Sequence, residues 1–354
     1  MWQVHNRTPF AADRSWVRDR EGAEVWLVAV RCTFEIRPDG STAPAEEQQP
    51  VALAPEHFGE PAASSLKYDS DFVLTKPTTD VILHGAAHAP GGKPTTSVDV
   101  SLRVGEVRKT LRVTGERAYR RSPLGGDPTP DPALPFVKLP ITYERTYGGA
   151  DPAPANQNQA RFEGRNPIGV GLVPIGGKLA PSVEYPGGGG GTRPAGFGPI
   201  PSHWTPRASY AGTYDDAWQK DRRPLYPRDL DDRFFLCSPE DQRPATFLRG
   251  GEIVELTNLT PSGRLVFTLP RVAFGFETTF GDGERPQHTG SLHTVILEPE
   301  ASRVVLVWRT SLPCHAKVNS LLGTLVWQKK IRVVKPGRFP ADDVVVEEGE
   351  VQAP

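Results

Sequence analysis

The 354-residue chain carries 41 Lys and Arg against 42 Asp and Glu, a net charge of −1, so charge gives no reason to expect nucleic acid or an anionic membrane as a partner. Three widely spaced cysteines, Cys32, Cys237 and Cys314, form no CxxC pair, which leaves a disulfide framework or a zinc ribbon without support. The 37 Pro and 35 Gly make up about a fifth of the residues against a usual ~12%; the excess disfavours long helices, while 7 Trp, 8 Tyr and 15 Phe favour a packed, turn-rich protein over a disordered one.

The opening MWQVHNRTPFAADRSW lacks the charged and apolar regions of a signal peptide, and no apolar run approaches the roughly 18 residues that span a bilayer. A cytoplasmic location is the expectation. In Val25–Ile36 (VWLVAVRCTFEI) every even position from Trp26 is apolar, and the odd positions turn polar from Arg31. This period of two predicts a strand buried on both faces at first and on one face later, with Cys32 as a small buried hydrophobe.

His84-Gly-Ala-Ala-His88 has the spacing of a helical zinc pair, but Gly85 stands where HExxH has its glutamate. The Ala-Pro-Gly-Gly that follows favours a turn; two histidines four apart on one strand face stay open as a ligand pair. Ser97–Val113 (SVDVSLRVGEVRKTLRV) predicts a hairpin around Gly105–Glu106, since a two-residue loop opening with Gly suits a type II′ or I′ turn. The implied register sets Val98 opposite Val113, Val100 opposite Leu111 and Asp99 opposite Arg112. It also sets Lys109 opposite Leu102 and Arg103 opposite Arg108, long side chains expected to splay into water near the turn.

Between Gly115 and Ala245 lie 20 of the prolines and the run Gly187–Gly191, so turns should dominate this middle segment, with the glycines at a mobile loop tip. Short helices are expected around Tyr214–Lys220 and Asp229–Phe235. Alternation returns in EIVEL (252–256), RLVFTL (264–269), HTVILE (293–298), RVVLVWR (303–309) and LVWQKKIRVV (325–334), all read as strands. The fold class is therefore mainly β: two β-rich parts with sandwich-like sheets, joined by a long irregular Pro/Gly/aromatic-rich middle with few short helices.

Catalytic motifs are scarce. No GxSxG elbow and no GxxxxGK[ST] occurs, and Gly169-Val-Gly171 is followed by Pro174, where a dinucleotide fingerprint needs its third glycine. Asp215–Asp216 and Asp231–Asp232 are neighbouring acids; a glycosidase needs two carboxyls about 5–10 Å apart across a sugar, whereas Asp215, after Gly-Thr-Tyr, suits an N-cap. No catalytic, cofactor-binding or metal residue is assigned. Trp204, Tyr210, Tyr214, Asp215 and Trp218 are singled out as partner surface or loop anchors, because Trp, Tyr and Arg dominate interface hot spots. A glycan-acting hydrolase would bring Asp215, Asp216 and His203 into one cleft; a sugar-binding β-module would need an exposed coplanar aromatic pair.

TKPTTDV (75–81) with HGAAHAPGGKPTTSVDVSLRVG, LPITYERTYGGAD (139–151), NPIGVG (166–171), the block from Arg193 to Phe235, SPEDQR (238–243) and RVVLVWRT (303–310) together resemble the domain-of-unknown-function 2169 family. The likeness covers roughly residues 1–335, taken as one domain with β-rich parts at 1–115 and 246–335, an irregular segment at 116–245 and a tail at 336–354. The resemblance implies a non-enzymatic adaptor or chaperone of bacterial type VI secretion. Its partners would be a toxin effector protein and the spike or spike-tip protein, with neither nucleic acid nor membrane involved. It carries no catalytic residues to transfer.

Overall fold

A computed structural model describes residues 2–121, 125–151, 161–187 and 192–331. The expectations placed on the glycine run beyond Gly187, on the strand residues after Ile331 and on the tail lie outside the described residues. The protein is mainly β, built around three larger sheets. In the largest, Ala11–Arg18, Glu24–Ile36, Arg303–Pro313, Ser291–Glu298 and Asp80–Leu83 lie side by side, with Thr42–Pro44 added on Glu24–Ile36. The second orders Val183–Glu184, Val107–Thr114, Ser97–Val104, Ile253–Thr257 and Arg264–Thr268. The third orders Gln3–Arg7, Leu321–Gln328, Phe274–Phe280 and Gln287–Thr289.

Each of these sheets mixes strands from both β-rich parts. Arg303–Pro313 pairs antiparallel with Glu24–Ile36 along its whole length, Ile253–Thr257 pairs with Ser97–Val104, and Gln3–Arg7 runs parallel to Leu321–Gln328. One hydrophobic cluster takes Val28, Val30 and Leu306 from the first sheet, Val100, Leu111 and Leu256 from the second, and Phe276 and Val326 from the third. The opposite face of the largest sheet is covered too, with Tyr68, Ile82, Cys237, Ile296, Val305 and Val307 in a second cluster.

The hairpin has the expected register at every pair, Lys109 opposite Leu102 and Arg103 opposite Arg108 included. Gly105 has φ +56° and Glu106 is not among the positive-φ residues, the pattern of a II′ turn. Asp99 accepts from Arg112 Nε and Nη2 at 2.8 and 3.0 Å. Three expectations need correction. The strand at 24–36 stays buried on both faces as far as Phe34, because its polar odd positions find partners under the 45–71 segment. Arg31 is ion-paired to Asp71 at 3.0 Å and lies over the Tyr68 ring, and Thr33 bonds Gln48 and Gln49. Lys109 does not splay into water: it points inward with Val107, Leu111 and Val113 and is buried. The last strand is also shifted, running Leu321–Gln328 rather than from 325 onward.

Among its described residues the middle segment contains one six-residue α-helix, Asp216–Asp221, and 3-10 turns such as Asp232–Phe235; both lie where short helices were expected. Among the described residues no helix is long and apolar enough to cross a membrane. What fixes this segment is buried Asp80. Its carboxylate pairs with Lys76 Nζ at 2.7 Å and accepts from Cys237 N, Ser238 N and Ser238 Oγ at 3.0, 2.8 and 2.6 Å. Burial alone would raise the carboxyl pKa; the Lys76 ammonium and the Ser238 bonds outweigh it and hold Asp80 far below the usual carboxylate range. Thr78 Oγ1 donates to Pro244 O, and Thr79 Oγ1 accepts from Leu248 N. His293 lies beside this junction, stacked on Phe247, with Nδ1 buried and unpartnered.

Asp80→Ala is expected to cost about 3–5 kcal/mol, because it strands a buried ammonium; guanidinium unfolding that shifts by under about 1 kcal/mol would contradict the role given to this carboxylate. Burial, then the nearby Arg309 and Lys76 charges, hold the His293 pKa well below 6.5. A folded pKa below the unfolded one means stability that is complete above about pH 6.5 and lost on acidification. Thermal midpoints should fall from pH 6.5 downward, and His293→Phe should flatten that fall; identical acid limbs would count against it.

Candidate functional site

The SPEDQR segment reaches from Asp80 to the hairpin. Gln242 is fully buried; its Nε2 donates to Val81 O and Phe197 O at 2.8 and 2.9 Å, and its Oε1 accepts from Lys109 Nζ at 2.9 Å. One side chain thus joins strand Asp80–Leu83, the 193–200 stretch and strand Val107–Thr114. Next to it, Asp241 accepts from Lys109 Nζ at 2.8 Å through Oδ1 and from Tyr185 OH at 2.9 Å through Oδ2.

A cleft of about 400 Å³ opens above this network, lined by Lys109, Tyr143, Tyr185, Arg193 and Asp241 among others. Its floor depends on a glycine: a Cβ on Gly196 would come within 2.9 Å of the Tyr143 ring. Tyr143 is itself buried and donates to Gly198 O at 3.0 Å. Burial pushes the Lys109 pKa down to about 8 despite Asp241, and Arg193 adds to the effect. Burial first, then Asp241, raises the Tyr185 hydroxyl pKa. A desolvated lysine and a tyrosine sharing one carboxylate beside a cleft is the kind of perturbed cluster found at binding and catalytic sites.

The residues singled out from sequence separate into anchors and surface. Trp204 is only 2% exposed, packed edge-on against Tyr143; it anchors the loop and presents no surface. Tyr210 is half-buried under Arg233, whose guanidinium sits 4.3 Å from the ring centroid. Asp215 caps the short helix as expected, accepting from Trp218 N at 2.8 Å. Trp218 Nε1 donates to Leu225 O at 2.8 Å, and Tyr214, 52% exposed, meets Trp218 at 67° with centroids 4.6 Å apart. The two rings are therefore not coplanar. A groove of about 340 Å³ beside the helix is lined by Asp215 and Trp218 but by neither His203 nor Asp216, so the structure does not gather that acid–base set in one pocket.

His84 and His88 engage separate partners. His84 Nε2 bonds Lys67 O and His88 Nε2 bonds Glu300 Oε1, each at 2.6 Å. Burial lowers the His84 pKa to about 4. All three cysteines are free and buried, and among the described residues no three or more His, Cys, Asp or Glu are arranged to hold a metal ion.

Sequence reasoning missed Lys109, Tyr185, Arg193 and Asp241 as a group. A signal existed for one of them: Lys109 falls on the apolar phase of Val107–Val113, where a charge demands a partner. The blocks of the family likeness meet around this core. Glu144 accepts from Ser65 N and Ser65 Oγ at 2.7 and 2.6 Å, and Asn166 Nδ2 donates to Tyr143 O at 2.8 Å and Thr146 Oγ1 at 2.9 Å.

A mainly-β scaffold with an ordered, polar-stapled middle segment is the class this geometry defines. The model of a family described as an uncharacterized protein conserved in bacteria (DUF2169) matches residues 21–309, and the chain belongs to that family. No curated protein and no solved structure matches it.

Gln242→Leu should lower stability by about 2–4 kcal/mol, since it removes two buried hydrogen bonds to Val81 O and Phe197 O and leaves Lys109 with Asp241 as its one remaining acceptor among the described residues. Urea unfolding reads the loss, and Gln242→Glu, which keeps an acceptor for Lys109 but sets a carboxylate oxygen against Val81 O and Phe197 O, should lose at least as much.

Proposed function

We propose that the protein is a non-enzymatic cytoplasmic adaptor that holds a toxin effector and helps to load it onto the type VI secretion spike or its tip protein. The family likeness suggests the role, and one observation carries it into this chain. The aromatic segment between 193 and 248 is pinned by buried polar bonds, yet it presents Tyr214 and Trp218 beside an open groove. Aromatic anchors already held in place lose little freedom on binding and so favour docking. Strand addition is less favoured at the Ala11–Arg18 edge. There Asp13 accepts from Arg14 N at 2.8 Å, and edge charges discourage pairing with another chain.

Pull-down of the tagged chain from its native host, with the eluate identified by mass spectrometry, tests the reading. An effector and a spike component should co-elute, and Tyr214→Ala/Trp218→Ala, with unchanged circular dichroism, should cut their recovery about tenfold or more. Elution of neither would refute the adaptor role. Undiminished recovery with the variant would refute the docking surface alone.

A further inference from the structure

We propose that the cleft at Lys109, Tyr185 and Arg193 recognises a single carboxylate, an acidic side chain in an extended segment of the bound protein. That the carboxylate belongs to a protein rests on the adaptor reading; the anion specificity does not. Arg193 provides the first argument. It is exposed, its guanidinium lies 3.6 Å from the centroid of the Tyr185 ring, and it has no hydrogen-bond or ion-pair partner among the described residues. Stacking fixes the plane of a guanidinium and leaves its in-plane N–H groups free, the geometry that meets a carboxylate bidentately. Arg165, on the same cleft, is already committed: it bonds Glu163 through Nε and Nη2 at 2.8 and 2.6 Å.

Lys109 provides the second. Its side chain is 1% exposed, and its ammonium has two acceptors, Asp241 and Gln242. An ammonium carries three hydrogens, so one has no acceptor among the described residues, and Lys109 lines the cleft. Asp241 accepts from Lys109 and Tyr185 and makes no bond to Arg193 among the described residues.

Charge and shape narrow the ligand. Of the cations on the cleft, Lys109 is ion-paired to Asp241 and Arg165 to Glu163, which leaves the single charge of Arg193 to meet a ligand and suits a monoanionic carboxylate better than a dianionic phosphoryl group. Glu240 on the lining disfavours a second acid nearby. Pro194, Ile200, Pro206 and Pro239 supply apolar wall, and a volume of about 400 Å³ lies in the range of roughly 300–1,000 Å³ of small-ligand sites. An acid flanked by apolar residues is the sequence such a cleft reads.

Saturation-transfer NMR on the full chain with acetyl-Leu-Asp-Leu-amide, acetyl-Leu-Asn-Leu-amide and inorganic phosphate tests this. The Asp peptide should bind about tenfold more tightly than the Asn peptide. Arg193→Gln, at an exposed position, should remove that preference without moving the thermal midpoint. Equal binding of the two peptides, binding of neither, or an unchanged preference in Arg193→Gln would overturn the proposal. Displacement of the Asp peptide by phosphate at lower concentration than the peptide itself would also overturn it, in favour of a phosphoryl ligand. Failed peptide discrimination with intact effector recovery in the pull-down sinks only the cleft. Discrimination without any recovered effector sinks only the adaptor reading.

Discussion

A carboxylate with no access to water, Asp80, is the constraint on which the rest of this structure depends. An isolated buried charge is too costly to persist, so Asp80 requires Lys76 on one side and the backbone and hydroxyl of Ser238 on the other. Those bonds hold together two stretches far apart in sequence. Once Ser238 is set, Gln242 falls within reach of Val81 O and Phe197 O, and Asp241 is delivered to Lys109 and Tyr185. The cleft is thus built outward from a charge-neutral centre, each polar side chain completing the valence of the previous one.

Neighbouring charges obey the same rule, with one exception. Arg31 is matched by Asp71 and Arg207 by Asp69, at 3.0 and 2.9 Å. Arg309 is buried as well, yet its Nε and Nη1 have no partner and only Nη2 donates, to Leu74 O. Burial drags its pKa down to about 9, with Asp71 opposing. His293 stays neutral partly because this guanidinium lies nearby. The base of the middle segment is therefore held by ion pairs and acid-sensitive through His293, which the nearby Arg309 charge helps to keep neutral.

How much of this was legible in the sequence depends on distance along the chain. The 97–114 hairpin was readable to the residue, because alternation and a Gly-led turn are local signals, and the Asp215 cap is equally local. Long-range pairing leaves no comparable trace: nothing in VWLVAVRC states that RVVLVWR will lie against it. The burial of Arg31, Thr33 and Lys109 was misread for one reason. A polar residue in a strand looks solvated until the partner that neutralises it is known, and those partners, Asp71, Gln48 and Asp241, come from segments without regular pattern. Trp204 and Tyr214 show the same limit among aromatics. They sit ten residues apart in one loop, and only the three-dimensional path makes one an anchor and leaves the other exposed.

The mixing of early and late strands within every large sheet bears on how the protein is made. Arg303–Pro313 lies between Glu24–Ile36 and Ser291–Glu298, so the central sheet cannot close until residue 313 has left the ribosome. For most of synthesis the apolar run at 25–30 has Ala11–Arg18 on one side and lacks its other permanent neighbour. Contacts of such long sequence separation form slowly, and chains waiting on them expose sticky strands. A molecule cast as a guardian of other proteins would itself pass through the stage at which a newborn chain most needs guarding.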